Sequence, residues 1–317
     1  MPKNIVLIIM IGIGVYFASL FNGFVWDDFP QIVDNDLIKS LGNIPKFFSG
    51  GTFIRDDTGQ LAGLYYRPVV TTLYAMIYSF FGGNSFFFHL VQVALHLGAG
   101  LLIFYLLKEF VKPASALFLS LIFLVHPGIS EAVVYISAIN DILFVFFGLA
   151  AMLLVLKAKD FKLFFWVGIF LELAILSKES GILFILMVTF AAWLFNRKVF
   201  KLTILTNISV GLVYGFLRFQ FAKMTFWGSG VSPIMNASAS EKLYALPSVI
   251  FYYIKTIFFP KDLAISQHWT VSFPTLSNFY FPLLILAILF IGSVYLGFFL
   301  YRRHNRYFKP YLFFLAW

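Results

Sequence analysis

The sequence predicts an all-α polytopic membrane protein, and three observations lead to this prediction. Of its 317 residues, 61% are hydrophobic and only 12% are charged, which is about half the charged share of a soluble domain. Apolar runs long enough to cross a bilayer recur along the chain, and lysines and arginines collect in the short turns between them. One soluble core cannot bury this much apolar surface, so a soluble enzyme, a disordered chain and a collagen-like fibre are excluded.

The apolar runs predict a bundle of about eight membrane spans. They fall at residues 4–25, 85–107, 113–126, 134–156, 161–177, 180–196, 202–222 and 279–301, and residues 311–317 resemble the start of another. The run at 113–126 is short and needs a neighbouring helix or a deep loop to complete it. The first run is too long for a signal peptide and lacks a small-residue cleavage site, so we expect a retained anchor.

The charge distribution predicts the orientation of the bundle. With the N-terminus in the cytoplasm, 13 of the 23 cations lie in short inner turns, as the positive-inside rule requires. Of the 14 acids, 11 lie at or beyond the outer edge, and no topology rule requires that. We therefore expect the functional groups on the extracytoplasmic face of the cytoplasmic membrane or, in a eukaryote, of the endoplasmic reticulum.

The remaining segments predict a single transmembrane domain over residues 1–317 with two large outer loops, at about 26–84 and 223–278. The first loop is expected to carry interfacial helices. A crossing at 243–259 would place the basic cluster at 302–309 outside, so we expect a helix that lies in or re-enters the outer leaflet. The chain stops at Trp317 within an apolar run, and we expect a C-terminal continuation beyond it.

Two adjacent carboxylates, Asp27 and Asp28, directly follow the first run and are the candidate catalytic groups. Holding two charged carboxylates near a membrane interface costs free energy. Apolar bulk from Trp26, Phe29 and Pro30 surrounds the pair. The adjacent like charges and this low-dielectric surrounding should raise the pKa of one of the two carboxyls, which favours a general base near neutral pH. The alternative is a solvated loop start.

Candidate phosphate ligands are Arg67, Lys178 and Arg218. Arg67 precedes Pro68 at a predicted helix start, where guanidinium and helix N-terminus both attract anions; an interfacial, snorkelling arginine is the alternative. Lys178 either neutralises its neighbour Glu179 or holds a phosphate that Glu179 orients.

Further polar groups are expected to support the site: His126, Glu131, Asp141 and Glu179. For Glu131 the alternative is a structural role in the first turn of a helix that Ser130 caps. Asp141 lies inside an apolar run, where a carboxylate indicates function. Whether a metal is present is unknown. Mg²⁺ or Mn²⁺ would favour carboxylate oxygens from Asp27, Glu131 and Asp141.

Other chemistries have little support. The sequence has no cysteine, which excludes thiol nucleophiles and Cys-ligated zinc or iron–sulfur centres. The net charge of +9 is scattered between apolar runs, so a nucleic-acid partner is not predicted. His89 and His96, two helical turns apart, predict packing between helices.

In combination these residues resemble the membrane-embedded GT-C glycosyltransferases, in particular the transmembrane O-mannosyltransferases that carry tetratricopeptide repeats and their bacterial relatives. No single motif is specific, but their joint order over about residues 20–265 is. The matching segments are Val25-Trp26-Asp27-Asp28, Arg67-Pro68-Val69-Val70, Phe88-His89-Leu90-Val91 with Leu95-His96, His126-Pro127 with Glu131-Ala132-Val133, Asp141, Ser177-Lys178-Glu179-Ser180-Gly181 and Phe258-Phe259-Pro260-Lys261-Asp262-Leu263.

The resemblance implies a sugar donor on a polyprenyl or dolichyl phosphate and an acceptor protein or glycan. Asp27 would be the base that deprotonates the acceptor hydroxyl, with Asp28 as its partner, and transfer would invert the anomeric centre. Arg67 and Lys178 would hold the lipid phosphate. The sequence departs from the animal members at Asn140, where they usually have Arg, and in lacking the repeats.

Two other classes of function are weighed against an enzyme. A transporter or lipid flippase usually places its ionisable groups near the bilayer midplane between related repeats, whereas here they lie mostly at one edge. The third hypothesis is an inactive scaffold, which predicts that replacing Asp27 leaves the function of the protein unchanged.

Overall fold

The computed structural model describes residues 3–54, 61–62, 65–158, 161–224, 233–261, 263 and 269–316. This part of the chain is almost entirely helical, which confirms the all-α prediction. Two two-residue strands, β1 (Phe53–Ile54) and β2 (Leu61–Ala62), pair antiparallel within the first predicted outer loop. The chain divides into two units, residues 1–226 and 227–316. The prediction of a single transmembrane domain stays a prediction.

The first unit contains ten α-helices in its described part. They are α1 (Lys3–Tyr16), α2 (Ile44–Phe47), α3 (Pro68–Phe81), α4 (Ser85–Lys108), α5 (Pro113–Val125), α6 (Ser130–Val134), α7 (Ile139–Lys157), α8 (Phe161–Ser177), α9 (Ile182–Phe195) and α10 (Phe200–Gly215). Short 3-10 or π turns lie at Ala18–Phe21, Phe29–Val33, Asp36–Lys39, Leu41–Asn43, Pro127–Ile129, Ile136–Ala138, Glu179–Gly181, Arg197–Val199 and Phe216–Phe221.

Local sequence sets where several of these helices begin. Pro68 and Pro113 are the first residues of α3 and α5, where a missing N–H is harmless. The Asn84 side chain caps α4 by accepting a hydrogen bond from the Phe86 N–H, as an N-cap residue should. Helix α7 is central and packs against α4, α8 and α9, while α10 packs against α8 and α9. Polar residues discussed below lie around the N-terminal ends of α4 and α7 and just beyond the C-terminal ends of α8 and α10.

Within the described residues, four helices are long and apolar enough to cross a membrane: Ser85–Lys108, Ile136–Lys157, Arg197–Phe221 and Leu276–Arg302. The bent pair Pro113–Val125 and Pro127–Val134, with an angle of 53° between its halves, adds a fifth and completes the short run at 113–126. The other predicted runs form shorter apolar helices, Lys3–Tyr16, Phe164–Ser177 and Glu179–Phe195. Helices therefore occur at all eight runs. By length and composition, however, four or five described helices can span, because the others fall short of about 20 residues.

The second unit contains α11 (Pro233–Asn236), α12 (Ala239–Phe258), α13 (Phe281–Arg302) and α14 (Phe308–Ala316) in its described part. Helix α12 begins with a capping box, in which Ser238 and Glu241 each bind the other's backbone N–H. It packs against α13 and is not among the helices that meet the criteria for spanning. The prediction that it stays in the outer leaflet remains a prediction, and Asp262 lies outside the described residues.

Candidate active site

Asp28 is fully buried and anchors the turn that follows the first helix. Its Oδ2 accepts a hydrogen bond from the Val25 N–H at 2.9 Å. Its Oδ1 accepts two from Ser137, from the N–H at 2.8 Å and from the hydroxyl at 2.6 Å. Trp26, inside the turn, has a φ of 46°, a left-handed conformation that is strained for a bulky residue. The bonds to Asp28 hold this strained turn against the segment before α7.

Asp27 points the other way, and its side chain is exposed. Its backbone N–H donates to the Tyr135 hydroxyl at 3.1 Å, and the Trp26 ring lies edge-on to Tyr135 with a centroid distance of 6.1 Å. No described residue forms a hydrogen bond with the Asp27 carboxylate. An exposed carboxylate on a hydrogen-bonded turn is open to an incoming hydroxyl and could accept a proton from it.

Helix α4 fixes this turn through polar side chains on one face. Ser85 donates to the Asn22 carbonyl at 2.9 Å. Gln92 donates to the carbonyls of Ala132 and Tyr135 at 2.6 and 2.7 Å. Because both loops are tied to the same rigid helix, the Asp27 turn and the Tyr135 segment keep a fixed separation.

The two histidines of the same face are buried. His96 Nε2 lies 2.9 Å from the Leu124 carbonyl oxygen, and its ring packs edge-on against Tyr16, which confirms the packing prediction for this residue. The ring of His89 lies close to the backbone of Asn22 and Gly23 and interacts electrostatically with Asp28.

Glu179 is the centre of a second cluster. Its carboxylate accepts hydrogen bonds from Arg67 Nε at 3.4 Å, from Arg218 at 3.2 Å and from the Tyr66 N–H at 3.0 Å. Arg218 also donates to the Tyr214 hydroxyl at 2.8 Å. Burial by itself would raise the pKa of Glu179, but these donors and cations outweigh it, and the pKa is lowered. Glu179 is therefore a carboxylate that holds two arginines in place.

Lys178 turns away from its neighbour Glu179. Its backbone is extended, with φ −157° and ψ 140°, so successive side chains point in opposite directions. Lys178 Nζ donates to Asp141 Oδ1 at 2.5 Å. Asp141 and Glu131 both line a cavity of about 340 Å³ between α4, α5 and α7, a size in the range of ligand pockets. His126 lies at the bend before it, where its Nδ1 accepts the Gly128 N–H at 3.0 Å.

Tyr74 of α3 packs beside the segment that binds Asp28. It is 1% exposed, and its hydroxyl donates to the Ile136 carbonyl at 3.0 Å, next to the Ser137 that binds Asp28. It interacts electrostatically with Asp28 and with Arg67. Helix α3 therefore contributes to both places: Tyr74 packs beside the anchor of the Asp27–Asp28 turn, and Arg67 lies about two helical turns before it, at the start of the helix.

The structure brings together the predicted residues Arg67, Arg218 and Glu179, and separately Lys178 with Asp141. It adds residues that the sequence analysis did not single out, namely Tyr66, Tyr74, Tyr135, Ser137 and Tyr214. Three of them had a readable signal, because Tyr66 directly precedes Arg67, Tyr74 lies two helical turns after it, and Tyr214 lies one turn before Arg218. Among the described residues, no group of three or more His, Asp or Glu side chains is arranged to hold a metal ion.

Comparisons with known proteins agree with the resemblance drawn from the sequence. A family model described as dolichyl-phosphate-mannose-protein mannosyltransferase matches residues 67–219. The chain is 28% identical to Protein O-mannosyl-transferase F38B6.6 of Caenorhabditis elegans over 234 residues, 70% of this chain and 34% of that protein. It is 28% identical to Protein O-mannosyl-transferase TMTC3 of Homo sapiens over 186 residues, 57% of this chain and 20% of that protein. No solved structure matches the chain significantly.

These similarities confirm that the chain resembles GT-C membrane glycosyltransferases. The family match includes Arg67, Glu131, Asp141, Lys178 and Arg218, whereas the Asp27–Asp28 turn precedes it. The match with the worm protein spans about a third of that protein's length, and the match with the human protein about a fifth.

Proposed function

We propose that this chain, an integral membrane protein that resembles GT-C mannosyltransferases, transfers a sugar from a polyprenyl or dolichyl phosphate to an acceptor hydroxyl at the extracytoplasmic face. Mannose is the first sugar to test and a protein serine or threonine the first acceptor, because the similar proteins are named protein O-mannosyl-transferases. The observation that carries the proposal is the exposed carboxylate of Asp27, which sits on a turn held by buried Asp28 against Ser137, next to the Ile136 carbonyl that Tyr74 of α3 binds.

The proposed reaction is a single inverting displacement. The acceptor oxygen attacks the anomeric carbon from the face opposite the phosphate, its proton passes to the Asp27 carboxylate, and the bond from the anomeric carbon to the phosphate oxygen breaks. Asp28 acts as a positioning residue, since its bonds to Val25 and Ser137 hold the turn. A positioned general base contributes about 10²–10⁴-fold to rate.

The leaving group gains negative charge on its phosphate, and Arg67, Arg218 and Lys178 are the proposed stabilising cations. The cluster of Arg67, Arg218 and Glu179 carries two positive charges and one negative charge, so its excess of one matches an anionic phosphodiester. Glu131 and Asp141 are proposed to accept hydrogen bonds from sugar hydroxyls in the cavity that they line.

The test uses the purified full-length protein with a panel of polyprenyl-phosphate sugars and serine- or threonine-containing peptides, with the acceptor mass as readout. We expect transfer from at least one donor and an at least about 100-fold lower rate for Asp27→Asn. The matched control is Asp34→Asn, a second exposed acid of the same loop, which should keep the wild-type rate.

Two results would overturn the proposal. Absence of transfer from every donor would point to a scaffold or a transporter. Equal rates for wild type and Asp27→Asn would remove Asp27 from the chemistry.

A further inference from the structure

The connection between α13 and α14, on the second unit, carries a dense group of basic residues. We refer to four cations within eight positions as the hairpin cluster: Arg302, Arg303, Arg306 and Lys309. All four residues are exposed. The sequence from 263 to 317 contains no aspartate or glutamate, and among the described residues no carboxylate forms an ion pair with the cluster. The hairpin cluster therefore carries four positive charges without a counter-charge from its own segment.

The backbone of this connection is a defined turn. Helix α13 ends at Arg302, and His304 adopts a left-handed φ of 46°, a conformation in which helices commonly end. The Asn305 N–H donates to the Leu300 carbonyl at 3.0 Å and closes the last turn of α13. The Asn305 side chain then accepts the Tyr307 N–H at 2.9 Å, just before α14 begins. The cations are thus carried by a hydrogen-bonded turn.

Helix α14 returns along α13. The centroid of the Phe308 ring lies 5.3 Å from that of the Tyr301 ring, and further along α14 the Tyr311 hydroxyl donates to the Ser293 carbonyl at 2.6 Å. As α14 advances, its contacts therefore move back along α13. Both helices are apolar, and α13 belongs to a helix long enough to cross a membrane. In a bilayer the turn between them lies where the apolar segments end, at the level of the lipid headgroups.

Aromatic rings hold the three arginine side chains of the hairpin cluster. The guanidinium carbon of Arg302 lies 4.4 Å from the centroid of the Phe298 ring, and that of Arg303 lies 4.6 Å from the centroid of the Phe299 ring. Both rings belong to the preceding turn of α13, so these two charges lie back along the helix, towards its apolar part. Arg306 stacks in the same way on the ring of the residue that follows it. Cation–π contacts of this kind orient a guanidinium group.

Guanidinium groups at this level of a membrane need an anion. A cation held towards the apolar phase is costly without a counter-charge, and the segment that carries the cluster has no acidic residue. A planar guanidinium group matches two oxygens of a phosphate. Phospholipid headgroups present phosphate at this level of the bilayer, so the counter-charge can come from the lipid itself.

We propose that the hairpin cluster binds the phosphate of an anionic bilayer phospholipid, whose acyl chains lie against the exposed apolar side chains of α13. Bound lipid would fix the end of α13 at headgroup level, in the leaflet that the charge distribution predicts to be cytoplasmic. The inference goes beyond the transfer of a sugar and does not depend on it. Phosphatidylglycerol is a suitable probe, because its one negative charge lies on the phosphate.

The first experiment titrates the purified full-length protein in detergent with phosphatidylglycerol or with phosphatidylcholine, and native mass spectrometry counts the bound lipid. For wild type we expect phosphatidylglycerol to bind at least about tenfold more tightly, since each basic residue near an anionic membrane surface contributes about fivefold. The double variant Arg302→Gln with Arg303→Gln should lose this preference. Unchanged binding of phosphatidylglycerol by the double variant would overturn the inference.

The matched control removes the same charge from another exposed turn, in the double variant Arg197→Gln with Lys198→Gln. The Arg197 Nε donates to the Trp193 carbonyl of the preceding helix at 3.3 Å, so its guanidinium already has an acceptor. We expect this control to keep the wild-type affinity for phosphatidylglycerol. An equal loss of affinity in both double variants would overturn the inference, because net charge alone would then attract the lipid.

A second measurement separates a lipid from a soluble anion. Free glycerol phosphate carries the same phosphate without acyl chains, and we expect that it does not displace bound phosphatidylglycerol. Displacement would overturn the assignment to a lipid and indicate a site for a soluble phosphate.

A charge-neutral variant tests the stacked geometry. Phe298→Leu with Phe299→Leu keeps every cation and removes both rings, so we expect about threefold weaker binding of phosphatidylglycerol or more. Wild-type affinity in this variant would overturn the inference that oriented guanidinium groups select the phosphate.

Discussion

Arg67 and Arg218, which come from opposite ends of the region matched by the mannosyltransferase family, donate hydrogen bonds to the two oxygens of one carboxylate. That carboxylate, Glu179, is 28% exposed, whereas the side chains of Arg67 and Arg218 are only 15% and 2% exposed. Two guanidinium groups at this burial need a counter-charge, because an unpaired buried cation is costly. Glu179 therefore orients the cations of the proposed phosphate site before any ligand arrives.

The first prediction concerns removal of that counter-charge. Glu179→Gln leaves both arginines without an anion, so we expect a loss of about 3 kcal/mol in the free energy of unfolding. The thermal midpoint in detergent at pH 7 measures it. Glu109→Gln is the control, because Glu109 pairs with Lys157 in an exposed ion pair that should contribute about 1 kcal/mol or less. Equal midpoints for wild type and Glu179→Gln would contradict the prediction.

The wild type and Glu179→Gln also show how the stabilisation by Glu179 depends on pH. The pKa of Glu179 is lowered in the fold, so its stabilisation is present above its unfolded-state pKa, about 4.3, and is lost as the pH falls through the lower folded-state pKa. The midpoint difference between wild type and Glu179→Gln should therefore be largest near neutral pH and shrink in acid. A difference that grows on acidification would show that the assigned direction is wrong.

Sequence reasoning found the residues of the site but not their partners. Helical patterns and Pro68 predicted that Arg67 begins a helix, and the Asp27–Asp28 pair was predicted as a site. Which member of each adjacent pair is buried depends on local backbone direction. The left-handed Trp26 turn buries Asp28 and exposes Asp27, and extended Lys178 separates its own side chain from Glu179. The contacts that result, of Asp28 with Ser137 and of Lys178 with Asp141, join residues far apart in the sequence. No local periodicity specifies them.

A second prediction tests the anchor of the Asp27 turn. Ser137→Ala removes the hydroxyl that donates to buried Asp28 at 2.6 Å but keeps the backbone donor. A hydrogen bond to a charged group is worth about 1.5–3 kcal/mol, so we expect a lower thermal midpoint. We also expect a reduced rate of sugar transfer, because the turn that carries Asp27 loosens.

Ser49→Ala is the control for this prediction, since its exposed hydroxyl donates only to the nearby Lys46 carbonyl. It should change neither the midpoint nor the rate. An unchanged rate for Ser137→Ala with a lowered midpoint would show that Asp28 stabilises the fold without positioning Asp27.

A third prediction concerns Gly181, which ends the turn containing Lys178 and Glu179. A Cβ atom at this position would lie 2.6 Å from the backbone of Ala174 and Ile175, and backbone atoms cannot move aside as a flexible side chain can. Gly181→Ala should therefore destabilise the protein by about 1–3 kcal/mol. Gly211→Ala, in a helix with nothing within 4 Å of the added atom, should be neutral or stabilising by up to about 1 kcal/mol. Thermal midpoints measured side by side decide the comparison.

The last prediction asks what Lys178 does in the proposed reaction. If its ammonium contacts the donor phosphate, Lys178→Met should raise the donor KM about tenfold, the equivalent of about 1.4 kcal/mol. If it only neutralises Asp141, to which it is bound at 2.5 Å, the defect should arise from an uncompensated carboxylate next to Glu131. Removing that carboxylate as well should then restore activity.

We expect the double variant Lys178→Met with Asp141→Asn to stay as impaired as Lys178→Met, because an uncharged methionine cannot bind the phosphate whatever occupies position 141. The donor KM of the wild type, both single variants and the double variant forms a complete cycle. Recovery to within about twofold of wild type would instead make Lys178 a counter-ion and leave the phosphate to the two arginines.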